Sequence, residues 1–120
     1  MAEKGDDYQQ LMDQKRFLGE IEQGIRFANR EIIHKHIPTL RKDDILAFAV
    51  SVGRLRGRYL EAALKLGAGE RGEAPDQSEI KEIRARRQAF DEARDGFEAL
   101  RDAIEKGYVT VDTKGGDGDT

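Results

Sequence analysis

At 120 residues the chain is the length of one domain with a modest core; 38% of its residues are apolar and another 38% charged, well above the roughly one quarter usual in globular proteins. A formal net charge of -3 gives no global attraction to nucleic acid or anionic lipid, so either would need a local basic patch. The lack of cysteine excludes disulfides, thiolate metal sites and cysteine nucleophiles, and no stretch approaches the ~18 apolar residues of a membrane helix.

The first ten residues are polar and acidic, with neither the basic segment nor the apolar run of a secretory leader, which points to a cytoplasmic protein. A first helix is expected over 7–36, with Asp6 or Asp7 as its cap. Leu11, Leu18, Ile21, Ile25, Ala28 and Ile32 follow alternating steps of three and four, and Gln14 fills the missing place. That spacing makes one continuous apolar seam. Pro38 disfavours helical backbone at Ile37 and has no N–H to donate, so the helix should end near His36.

A second helix is expected over 42–66, with Asp43 and Asp44 at its start. Its seam reads Ile45, Ala49, Val52, Leu55 or Arg56, Tyr59, Ala63 and Leu66, with Leu46, Phe48, Gly53, Leu60 and Leu64 alongside. The three glycines and the proline between Gly67 and Pro75 then form a linker. The third helix, over 77–106, takes Asp76 or Ser78 as cap and carries Glu79 and Glu82 where the helix dipole favours acids. Ile83, Phe90, Phe97 and Ile104 recur every seven residues, Ala93 and Leu100 lie between them, and Gly107 is a natural stop.

Gly19, Gly24, Gly53, Gly57 and Gly96 fall inside these helices at about 1 kcal/mol each relative to alanine. Close helix contact would offset that cost; the competing reading is a set of kinks. Residues 108–113 alternate like a strand, but no second strand is evident, so they are expected to lie extended on the bundle or to pair across an oligomer. Residues 114–120 lack apolar groups and are expected to be disordered. The expected fold is all-α: an elongated, antiparallel three-helix bundle with coiled-coil-like packing, one helical domain over 1–107 and a flexible tail over 108–120.

Three groups of residues invite a functional reading. Glu31 and His34 share a helix face at the Glu-x-x-His spacing of carboxylate-bridged metal sites, but such sites need the motif twice and the chain has only two histidines. No metal or other cofactor is therefore expected. If the second and third helices are antiparallel neighbours, Arg54, Arg58, Arg84 and Arg87 form a patch for phosphate, the basis for an alternative reading as a nucleic-acid-backbone binder. The acids of the third helix, Asp91, Glu92, Asp95 and Glu98 among them, weigh against it. Finally, Met12, Phe17 and Phe27 lie outside the first helix's seam, beyond what a minimal three-helix packing buries. These point to self-association or a helical protein partner. The glycine-rich linker lacks the lysine and hydroxyl of a phosphate-cradling loop, and no serine sits in a nucleophile elbow. The expectation is a non-enzymatic interaction or assembly protein.

Overall fold

The structure is a computed structural model that describes residues 3–67 and 72–114. Part of the linker and the expected disorder of residues 115–120 lie outside the described residues. The architecture is all-α: α1 (Glu3–His36), α2 (Lys42–Leu66) and α3 (Gln77–Glu105), with the short strands β1 (Leu40–Arg41) and β2 (Val111–Asp112) and no closed sheet. Contacts gather the chain into two compact units, one of residues up to Thr39 with Ala103–Thr110, the other of Leu40–Asp102 with the residues from Val111 onward.

In the first unit α1 begins at Glu3, so Asp6 and Asp7 lie within the helix and do not cap it. Its last turn extends through a hydrogen bond from the Ile37 amide to the Ile33 carbonyl at 2.7 Å, and Pro38 then ends the series. Asn29 and Ile33 are half-buried, and the other α1 residues from Gly5 onward are exposed. Against α1 lies the turn that closes α3. Gly107 takes φ 76°, the Gly107 amide donates to the Ile104 carbonyl at 3.0 Å and the Tyr108 amide to Ala103 at 2.8 Å. The left-handed glycine satisfies carbonyls that the helix end leaves open. A Cβ on Gly107 would stand 3.4 Å from Arg26 Cδ, a contact the flexible arginine can accommodate, so it is the positive φ that favours glycine. Val109 beyond it is buried, and Arg30 reaches Thr110 Oγ1 at 3.5 Å.

In the second unit α2 and α3 pack antiparallel. Phe48 meets Phe97 edge-on at 5.3 Å between centroids, and eleven residues further along α2 Tyr59 stacks on Phe90 at 6.1 Å. The inward residues of α2 are Ile45, Phe48, Val52, Leu55, Tyr59, Ala62 and Leu66, an unbroken alternation of three and four. Phe48 and Ala62 thus replace Ala49 and Ala63 of the expected seam. On α3, Ile83, Phe90, Ala93, Phe97 and Leu100 face inward as their spacing requires. Gly96 lies against Phe48: a Cβ there would sit 3.6 Å from Phe48 Cζ, an ordinary van der Waals contact. At Gly19, Gly24, Gly53 and Gly57, by contrast, nothing lies within 4 Å, so close packing within the chain does not explain those four.

Caps fix the helix ends. Asp76 Oδ1 accepts from the Glu79 amide at 2.8 Å and Glu79 Oε1 accepts from the Asp76 amide at 3.1 Å, a reciprocal box that makes Asp76 the cap of α3. Asp44 Oδ2 accepts from the Arg41 amide at 3.0 Å where α2 begins. Of residues 108–113, Val111 and Asp112 do have a strand partner: β2 pairs parallel with β1, Leu40 opposite Val111 and Arg41 opposite Asp112. The expected absence of a second strand is corrected, because a two-residue strand is too short to show alternation.

Candidate interaction surface

Two helix faces combine regular apolar spacing with exposure. The first is the α1 seam: Leu18 is 57% exposed, Ile21 46% and Ile25 47%, and Leu11 and Ile32 are similar. These side chains were expected to form core. Large exposed apolar residues scattered singly are ordinary, but a row along a 34-residue helix, about 51 Å long, is a continuous patch. The second face belongs to α2. Leu46, Val50, Leu60 and Leu64 are each at least half exposed, and Gly53 and Gly57 complete their alternation of three and four. At about 100° per residue this face lies nearly opposite the one that meets α3. A helix apolar on both sides is ordinarily covered on both.

The residues singled out in the sequence distribute unevenly over these faces. Met12, Phe17 and Phe27 are all exposed. Helical geometry sets Phe17 beside the α1 seam and turns Met12 and Phe27 to its far side, so the three do not form one patch. Of the four arginines, Arg84 and Arg87 line an open hollow of about 240 Å³ with Tyr59, Ile80 and Ile83. Arg54 and Arg58 are exposed on the flank of α2 that also carries Lys65, where Ala62, Lys65 and Leu66 line a smaller hollow with Glu79 and Glu82. The two pairs therefore stand on opposite flanks of the α2–α3 pair and are not brought together.

Arg56, an alternative to Leu55 in the expected seam, lies on the flank of Arg84 and Arg87 instead. Its guanidinium lies 5.1 Å from the Phe90 centroid, and Arg94 lies 5.3 Å from the same ring. Both contribute to a groove of about 230 Å³ with Gly53, Phe97 and Glu98. Arg94 also pairs with Asp91 at 3.5 Å and Asp95 at 3.4 Å, so part of this basic flank is already neutralised. Arg86 pairs with Glu82 at 3.7 Å across one helical turn, the ordinary surface pairing expected at that spacing.

Glu31 and His34 lie exposed on α1 near its end. Among the described residues no group of three His, Asp or Glu side chains converges to hold a metal ion, and no helix is long and apolar enough to cross a membrane. The hollow on the first unit, about 270 Å³ between Glu22, Ile25, Arg26, Lys106 and Tyr108, adjoins the α1 seam without covering it. The chain matches no protein-family model, no curated protein and no solved structure.

Proposed function

We propose that the chain is a non-enzymatic helical interaction or assembly module whose working surface is the exposed apolar face of α1, supported by the outer face of α2. The observation that carries this reading is the α1 seam itself, regular over Leu11 to Ile32 yet about half exposed along its length. Covering one Leu or Ile side chain contributes about 1.5–3 kcal/mol relative to full exposure, so a protein partner or second copy seated on this row has ample driving force. The cytoplasm is the setting of this proposal.

A second reading, a grip on nucleic-acid backbone, rests on Arg84 and Arg87 sharing a hollow beside Tyr59. With Arg54 and Arg58 on the other flank, it relies on two arginines where the sequence offered four. Size-exclusion chromatography with light scattering, at low and moderate salt and with absorbance followed at 260 and 280 nm, separates the two readings. A defined oligomer without nucleic acid supports the module. A monomer carrying nucleic acid that salt releases overturns it in favour of the arginines.

A further inference from the structure

We infer that the hollow between Tyr59, Ile80, Ile83, Arg84 and Arg87 is a binding site for a small phosphate monoester whose organic part is a flat ring, the class to which nucleoside monophosphates belong. All five residues come from α2 and α3 within the second unit, so the site is complete in that unit. The inference rests on the second reading above for its two arginines, and replaces the nucleic-acid backbone with a single phosphate terminus as their ligand.

Charge is sorted across the first turns of α3. Glu79 and Glu82 line the hollow on one flank with Ala62, Lys65 and Leu66, whereas Ile80, Arg84 and Arg87 line the hollow on the other. Arg84 and Arg87 are separated by one turn of α3 and share a face, which brings two guanidinium groups to one place. Their neighbours are neutralised: Arg86 pairs with Glu82 at 3.7 Å, and Arg94 with Asp91 at 3.5 Å and Asp95 at 3.4 Å. Among the described residues no carboxylate pairs with Arg84 or Arg87. Their planar donor forks suit phosphate oxygens. A monoester carries about −1.5 to −2 charges near neutral pH and matches the pair, while a backbone phosphodiester supplies about half of that.

The wall beside the arginines is apolar and held in place. Tyr59 stacks on Phe90 at 6.1 Å with their planes 23° apart, and Phe90 is itself buried. The Tyr59 ring is thus braced from behind, next to Ile80 and Ile83. A braced aromatic ring and two branched aliphatic side chains let a flat ring lie against them at little ordering cost. The hollow's volume of about 240 Å³ lies below the roughly 300–1,000 Å³ of sites that enclose a drug-sized ligand. It therefore seats the phosphate and part of the ring and leaves the rest in solvent. Binding is accordingly modest, with a dissociation constant on the order of 0.1–1 mM.

A nuclear magnetic resonance titration of the isotope-labelled chain with adenosine monophosphate reads both the affinity and the place. Amide shifts should centre on Tyr59 and on Ile80 to Arg87. Arg84→Ala and Arg87→Ala should each weaken binding about tenfold, the loss of one charge-assisted contact. Arg54→Ala and Arg58→Ala remove the same charge from the opposite flank and should leave the affinity within about twofold. Inorganic phosphate, which has no ring to lay on Tyr59, should bind at least about fivefold more weakly than adenosine monophosphate. All four arginines are exposed, so the variants should keep their helicity by circular dichroism.

Equal weakening by the Arg54 and Arg58 variants would reduce the binding to general attraction by positive charge and overturn the site. Equal affinity for inorganic phosphate would overturn the role of the wall, and an unchanged spectrum at about 10 mM adenosine monophosphate would overturn the inference outright. A single-stranded oligonucleotide of about eight nucleotides without a terminal phosphate keeps the two failures apart. If it binds and adenosine monophosphate does not, the monoester site falls and the backbone reading stands; if neither binds, both fall.

Discussion

The α2–α3 pair and α1 carry apolar stripes of the same regularity and meet opposite fates. On α2 and α3 the stripe holds Phe48, Tyr59, Phe90 and Phe97, and these rings find one another across the helix pair. Each aromatic side chain brings about 150–250 Å² of surface to a contact, enough to hold two helices together within one chain. The α1 stripe is Leu and Ile interrupted by Gln14 and Ala28, its phenylalanines Phe17 and Phe27 stand outside it, and it remains half exposed. Heptad spacing therefore announces an apolar face, and the side chains on that face differ between the two: rings on the helix pair, aliphatic groups on α1.

The comparison breaks first at Phe90. The ring is 8% exposed, stacks on Tyr59 and lies near the guanidinium groups of Arg56 and Arg94. Phe90→Ala should lower the free energy of unfolding by about 3–5 kcal/mol, read from the urea midpoint with an unchanged slope. A loss under about 1 kcal/mol would mean that the helix pair does not depend on its aromatic layers. Ile21→Asp on α1 should do the converse. Placed on an exposed position it should leave unfolding of the isolated chain within about 0.5 kcal/mol, yet weaken the self-association proposed above, read as a lower mass by light scattering. If it unfolds the chain instead, the α1 stripe belongs to the core, and the contrast between the two regions disappears.

Much of the helix pair was legible in the sequence because its signals are local. The seven-residue recurrence of Ile83, Phe90, Phe97 and Ile104 gave the inner face of α3, and Asp76 with Glu79 and Gly107 gave its ends. The inner face of α2 was only partly readable, since Ala47 to Val50 are all apolar and Phe48 and Ala49 compete for one seam position. Choosing Ala49 turns the helix by a fraction of a turn. The arginine patch failed separately: Arg54 and Arg58 do share a helix face, but it is the flank of α2 away from Arg84 and Arg87, while Arg56 lies over Phe90. The exposure of α1 was not legible at all, because periodicity records that a face is apolar and carries no information about what covers it. The β1–β2 pairing escaped for a different reason: two residues on each side are held by register between distant segments, which no local pattern encodes.

Smaller substitutions sharpen the boundary between the regions. Gly107 closes α3 at φ 76°, so Gly107→Ala should cost about 1–2 kcal/mol from backbone strain. Its distinguishing mark is local: amide exchange should accelerate at Tyr108, which donates to Ala103, more than at Tyr59 in the helix pair. Uniform acceleration would instead make the turn part of one cooperative block with α2 and α3.

The smallest effect should come from the exposed ion pair of Glu82 and Arg86, whose side chains are 57% and 44% accessible to solvent. Glu82→Ala removes a pairing worth about 0.2–0.5 kcal/mol, offset in part by the better helix propensity of alanine, so the urea midpoint should barely move and the wild-type value should change little with salt. A chain with this many charges invites the idea that its surface network holds it together. A loss above 1 kcal/mol at Glu82, suppressed by salt, would support that idea and demote the aromatic layers. A loss of a few tenths leaves the rings to hold the helix pair and makes the surface charges minor contributors to stability.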